Sequence, residues 1–275
     1  MKLVNAELLK IRTTPTWWIF GLILLPLYAA SILLNWGSSV AITTAETGGD
    51  VPANQAEQIQ AAGETVNVAA NLYTSGQFMG VLMVLLLGAI LVTNEFFHQT
   101  ATTTFLVTPR RESVVLAKYA AAALLALVFW LVLTVLNLIF APLILHSLDL
   151  GPQLGDPAVW RAIGLNGLAF GLWAVLGVGA GVLIRSQIAA TVVLTAVYVV
   201  GSQAVGIIFF LLSEYVADWF SKLQVIFPTA ASQLMISGTD LPGSPPRWVG
   251  AAVLIGYAVV MGLIGTAIIK RRDVS

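Results

Sequence analysis

The residues able to do chemistry are few in this chain and do not assemble into a familiar constellation. Its only histidines are His98 and His146, and cysteine is absent, which removes thiol nucleophiles, thiolate metal sites and disulfides together. The two histidines are expected on opposite membrane faces, which excludes a shared metal site, and the H-E-x-x-H pairing of zinc enzymes is missing. No Gly-Lys pair occurs, so the phosphate-cradling loop G-x-x-x-x-G-K-[ST] is not present and any ATP that is used must be bound elsewhere. The Gly201 to Gly206 stretch reads GSQAVG, which lacks the G-x-S-x-G spacing and a basic partner, so serine hydrolysis has no support. The chain is expected to be no enzyme, to hold no cofactor or metal of its own, and to work by moving or anchoring something.

Composition shows what positions the remaining residues. Of 275 residues, 58% are apolar and only 9% charged; mean hydropathy is +0.91, far from the soluble average of about 25% charged. A formal net charge of zero, without basic clusters interleaved with aromatics, sets nucleic acid aside. Six apolar runs stand out: Trp17 to Trp36, Leu72 to Thr93, Tyr119 to Leu145, Ala162 to Ile184, Ile188 to Leu212 and Trp248 to Ile269. Each is near the ~20 residues that cross a hydrocarbon core. A backbone in lipid must satisfy its own hydrogen bonds, and no strand alternation is visible, so all six are expected to be helices. The fold class is all-α: a polytopic membrane protein forming one transmembrane domain over residues 1–275, with the fourth and fifth spans joined at Arg185-Ser186-Gln187.

Lysine and arginine near span ends are retained in the cytoplasm. With the N-terminus inside, the inner set is Lys2, Lys10, Arg12, Arg110, Arg111, Lys118, Arg185, Lys270, Arg271 and Arg272, against Arg161, Lys222 and Arg247 outside. Both termini are therefore expected in the cytoplasm. A cleaved signal peptide over Met1 to Ser31 is disfavoured, because its apolar run exceeds the ~7–15 residues of such a segment. Residues 2–12 place Val4, Leu8 and Ile11 on one helical face and Lys2, Glu7 and Lys10 mostly elsewhere, the pattern of an amphipathic helix on the inner surface. Thr14-Pro15 then opens the first span, with threonine as cap, and Trp17 and Trp18 anchor it. The outer segment Gly37 to Asn71 is acidic and weakly helical from Pro52 to Ala62, either a small cap or a mobile loop. Ser213 to Arg247 carries Tyr215, Trp219, Phe220, Leu223 and Phe227 at near-helical spacing, which fits either a re-entrant or an interfacial helix.

No ionisable residue lies mid-span, where carriers driven by ions usually keep one. Polar residues at depth are Thr134, Asn137, Thr191, Thr195, Tyr198, Ser202 and Gln203, whose first expected role is helix packing. Gly167 with Gly171, and Gly177 with Gly181, lie four apart on the fourth span and would permit close helix approach.

Between the second and third spans lies Asn94 to Lys118, NEFFHQTATTTFLVTPRRESVVLAK. Phe97, Ala101 and Phe105 recur every four residues, so a short helix here would carry an aromatic stripe. Thr108-Pro109 marks a fresh helix start that feeds Arg110, Arg111 and Lys118 past the headgroups. Anchoring to anionic lipid, at ~1 kcal/mol per residue, accounts for the arginines but not for the stripe.

With its six spans, both ends inside, the ELLKIRTTPTWW start, the NEFFHQTATTTFLVTPRR loop and the KRRDVS tail, the whole chain resembles the ABC-2 type membrane subunits of ATP-binding-cassette exporters. The resemblance implies a permease, dimerised with a second permease subunit in the cell membrane, that exports cargo with ATP and magnesium bound by a separate ATPase subunit. It implies that Glu95 to Phe105 is a coupling helix, so that Glu95, Phe97, Ala101, Phe105, Arg110 and Arg111 would contact the ATPase, with residues 2–12 as a connecting helix beside it. It further implies that the second and fifth spans line the path, which would make Gln77, Met79, Met83, Thr195, Tyr198 and Gln203 lining residues; a path so apolar and uncharged favours hydrophobic or amphipathic cargo such as drugs, antibiotics or lipids. The family's E-x-R-x-G-T-like pattern is replaced here by Glu95, Phe97, Gln99 and Thr100, which leaves Arg110 or Arg111 as the substitute partner of Glu95. Two other classes, an ATP-independent channel or carrier and a signalling scaffold, differ in needing no transport ATPase or no cargo.

Overall fold

The computed structural model describes residues 2–44, 53–100, 111–217, 219–240 and 242–271, without the side chains of 2, 53–56, 111 and 271. Described elements are all helical: α1 Lys2–Thr13, α2 Thr16–Thr44, α3 Ala53–Gly63, α4 Thr65–Tyr73, α5 Gln77–Phe97, α6 Arg111–Ser147, α7 Pro157–Leu183, α8 Gln187–Tyr215, α9 Phe220–Leu223, α10 Pro228–Ile236 and α11 Arg247–Arg271. Six are long and apolar enough to cross a membrane, with α4 and α5 counting as one span, as the apolar runs predict. They outrun those runs. At 37 residues, α6 is about 55 Å long, well beyond a hydrocarbon core of about 30 Å, so it must tilt or project.

Burial ranks the helices. The apolar window of α4–α5 is 83% buried and that of α7 is 67%, whereas α8 is only 6% buried. The centre is therefore the α5–α7 pair, surrounded by α2, α6, α8 and α11. Glycine allows the pair to close: a Cβ on Gly177 would collide with the Leu85 carbonyl, and one on Gly181 would lie 2.6 Å from the Ala89 oxygen. Gly88 reciprocates from α5, 2.5 Å from the Ala174 oxygen, while Gly179 points the other way, toward Met261 of α11. The expected pairing of Gly177 with Gly181 is thus an interface; Gly167 abuts the Trp130 ring, and Gly171 faces open space.

The second span is broken in its N-terminal third. Gly76 adopts φ +80°, the left-handed region, and the turn frees the carbonyls of Tyr73 and Ser75. Asn137 Nδ2, on α6, donates to both at 3.0 Å. One buried amide thereby replaces the two bonds the helix has lost, which is the requirement for a broken helix in lipid. Replacing Asn137 with leucine should lower stability by about 1–3 kcal/mol, measurable as a lower thermal unfolding midpoint in detergent. Of the other polar residues at depth, Tyr198 also bonds across helices, whereas Thr191 and Ser202 bond back to their own helix.

Of residues 37–71, the structure describes 37–44 and 53–71. α2 extends to Thr44, and α3 and α4 follow, α4 packing Val68, Leu72 and Tyr73 against Leu145, Val159 and Ile163. After α8 the chain turns back into the bundle. Phe227 reaches the Phe209 ring, with centroids 5.8 Å apart, and α10 leaves Met235 fully buried. Ser232 Oγ accepts from Trp173 Nε1 at 3.2 Å, near the middle of α7. The described residues of this segment pack back against the bundle. Its aromatics do not share one helix as their spacing suggests: Tyr215 ends α8, Phe220 and Leu223 lie on α9, and Phe227 is extended. Arg161 and Arg247, two of the three expected outer cations, both donate to the Gly238 carbonyl at 2.6 Å and clamp the exit of α10. Arg247 also pairs with Asp240; hydrogen bonds from its backbone and side chain hold that carboxyl below the usual range.

Candidate functional site

At the α1 end of the bundle, four charged side chains from three helices meet. Glu7 and Lys10 come from α1, Glu95 from the last turn of α5, and Lys118 from the second turn of α6. Lys118 Nζ lies 2.9 Å from Glu7 Oε2 and 2.8 Å from Glu95 Oε1; Lys10 Nζ lies 2.7 Å from Glu7 Oε1 and 2.7 Å from Glu95 Oε1. Each carboxylate serves both ammoniums. Side-chain exposure is 3% for Lys118, 5% for Glu7 and 10% for Glu95, against 44% for Lys10, so Lys118 closes the buried side and Lys10 the open side. Burial alone would lower the Lys10 pKa, but the hydrogen bonds and charges of Glu7 and Glu95 outweigh it and hold the ammonium above its ordinary value. Lys10 therefore stays charged, and its contribution is lost only in strong alkali.

This geometry corrects one expectation and adds to another. Lys118, expected to pass the headgroups, is buried and paired. Among the described residues the partners of Glu95 are Lys10 and Lys118. Glu7 does not lie off the packing face of α1; it is the most buried described residue of that helix, with Leu3, Val4, Leu8 and Ile11 half-buried around it. The signal was in the spacing: positions 4, 7, 8 and 11 are one helical stripe, and an acid in its centre requires a buried cation. Thr14, expected as the cap of α2, turns its hydroxyl back to the Ile11 carbonyl at 3.0 Å and finishes α1 instead.

The loop that follows Glu95 is different in form from the expected continuous stripe. The α5 helix stops at Phe97, with Gln99 at φ +56°. Thr100 N donates to the Glu95 carbonyl at 3.0 Å and Gln99 N to that of Phe96 at 3.3 Å, a Schellman closure with glutamine where glycine is usual. Phe97 thus ends the span, 66% exposed, and cannot share an unbroken helix with position 101. Ala101, Phe105 and Arg110 lie outside the described residues, as does the side chain of Arg111.

The expected path residues divide. Gln77, Met79 and Gln203 line a cavity of about 620 Å³ among α2, α4, α5, α8 and α10. Tyr198 lines an apolar crevice of about 290 Å³ on the other side of α8; its hydroxyl donates to the Phe78 carbonyl at 2.8 Å and its ring packs against Phe78 and Trp173. Met83 is only 7% exposed within the core, because α5 is surrounded about two turns beyond its break. Thr195 is half-buried and borders neither cavity. Sequence reading missed Gln233, which lines the first cavity, and Ser232, which meets Trp173 and Gln77; both are placed there only because α10 packs back against the bundle.

No curated protein matches the chain. A family model described as a protein of unknown function (DUF2705) matches residues 52–275, a span that includes Glu95 and Lys118 but not Glu7 and Lys10. The chain therefore belongs to the DUF2705 family.

Proposed function

We propose that this chain is the membrane-spanning permease subunit of an ATP-binding-cassette exporter. It lies in the cell membrane with both termini cytoplasmic, pairs with a second permease subunit, and moves a hydrophobic or amphipathic cargo with ATP hydrolysed by a separate subunit. The observation that carries this reading is the Glu7–Lys10–Glu95–Lys118 quartet. A membrane subunit with no ATP-binding loop must receive its work through a contact, and a contact transmits work only if it is stiff. The quartet joins α1 to the two helix ends that flank residues 98–110, so a push on that loop moves three helices together instead of bending the loop. A change in their arrangement would then bias inward-open against outward-open states. Exposed Phe97 and the basic pair Arg110-Arg111 supply the apolar and charged parts of the ATPase contact.

The test is co-purification with an ATP-binding subunit encoded beside this chain. Recruitment is expected with the wild type, together with ATPase stimulation in lipid. Reversing the charge at Arg110 and Arg111 with Phe97→Ala and Phe105→Ala should cut recruitment at least tenfold, since an interface anchor is worth about 2 kcal/mol or more. Unchanged recruitment would sink this assignment of the loop.

A further inference from the structure

The two cavities beside α8 are connected by a third, of about 310 Å³, lined by Gln203, Gln224 and Gln233. It shares Phe78, Gln203 and Gln233 with the 620 Å³ cavity and Ser202, Val205 and Thr229 with the apolar crevice. One continuous groove therefore follows α8 and changes character along it. From Leu194 to Gly201 its wall is aliphatic and aromatic, completed by Leu85, Tyr257 and Met261; from Ser202 onward the amides of Gln203, Gln224 and Gln233 stand among Val205, Thr229 and Ala230. Among the described residues, no Asp, Glu, Lys, Arg or His side chain lines it. Gln203 and Gln233 are exposed and Gln224 is half-buried, so their amides are open to whatever occupies the groove, and Gln203 lies near the middle of a 29-residue span.

We infer that this groove binds an amphipathic molecule with an uncharged, hydroxyl- or amide-rich head and a single hydrocarbon chain. The head sits among Gln203, Gln224 and Gln233, where each amide offers both donors and an acceptor. The chain lies along Leu194, Val197 and Met261, where it replaces lipid without desolvating anything polar. A charged head is rejected because no counter-charge lines the groove and its desolvation goes uncompensated. The inference rests on the permease reading only in treating this molecule as cargo; the binding itself needs no ATPase.

The experiment uses the full chain in lipid nanodiscs without any ATPase. Three dodecyl probes carry a photoreactive diazirine in mid-chain and differ only in the head: glucosyl, sulfate or trimethylammonium. The glucosyl probe should label residues 194–205 or 257–261 about tenfold more than either charged probe, and Gln203→Leu with Gln233→Leu should reduce its labelling about tenfold while leaving the charged probes unchanged. Equal labelling by all three heads in the wild type would show a groove that takes lipid chains indiscriminately and would overturn the assignment. Labelling by none would overturn it too, leaving a water-filled cavity or one closed by a second copy. The wild-type comparison does not depend on how the variant folds, and a chain that recruits no ATPase yet passes this test loses the permease reading alone.

Discussion

Lys118→Met is expected to destabilise the protein by about 3–5 kcal/mol, the loss typical when one partner of a buried ion pair is removed. Two carboxylates, Glu7 and Glu95, would remain nearly buried with only the half-exposed Lys10 between them. The larger part of the loss is thus the stranded charge rather than the missing attraction. Adding Glu7→Gln to Lys118→Met removes that charge and leaves the neutral Lys10–Glu95 pair, so the double variant should recover about 1–3 kcal/mol of the loss. Unfolding in detergent, followed by tryptophan fluorescence, gives both numbers. Trypsin gives a local reading, because α1 would be released from α6 and cleavage after Lys10 or Arg12 should accelerate before the bundle unfolds. If the single variant costs less than about 1 kcal/mol, the quartet contributes little more than a surface pair.

The second large effect concerns Gly177 and its neighbour in spacing, Gly171. Gly177→Leu must push its side chain into the backbone of α5 at Leu85, where no flexible group can move aside. The two central helices would have to separate, at about 1–3 kcal/mol for overpacking and more if the α5–α7 seam loses contact along its length. Gly171→Ala is the control on the same helix: nothing lies within 4 Å of its missing Cβ, so the better helix propensity of alanine should leave stability unchanged or raised by up to about 1 kcal/mol. Thermal unfolding midpoints in one detergent test the opposite signs, and a comparable loss at both glycines would contradict the packing described here.

These two sites also show what was legible in the residues. The six spans could be read because burial in lipid demands long apolar runs, and the join at Arg185 to Gln187 could be read because Ser186 caps α8, accepting from Ala189 N. The glycine pairs on α7 could be found but not ranked, since spacing says that a helix has a smooth face and not whether another helix covers it. Glu7 was visible on its stripe, yet its meaning depended on Lys118, 111 residues away. The stop at Gln99 carries no such trace, because a left-handed glutamine is ordinarily unfavourable and is held here by the two closing bonds to Glu95 and Phe96. The polar groove was the least legible feature. Its amides come from α8, from the turn after α9 and from α10, and only the course of residues 220–236 back against the bundle brings them to one wall.

The quartet that joins α1 to the bundle contains two acids and two bases, and its formal charges sum to zero. Moving one elementary charge through a membrane potential requires about 2.3 kcal/mol per 100 mV, but a neutral cluster displaced as a unit does no electrical work. The quartet itself therefore adds nothing to the charge carried when these helix ends shift toward or away from the bilayer, and any voltage dependence of that shift must come from the cations outside it, such as Arg12.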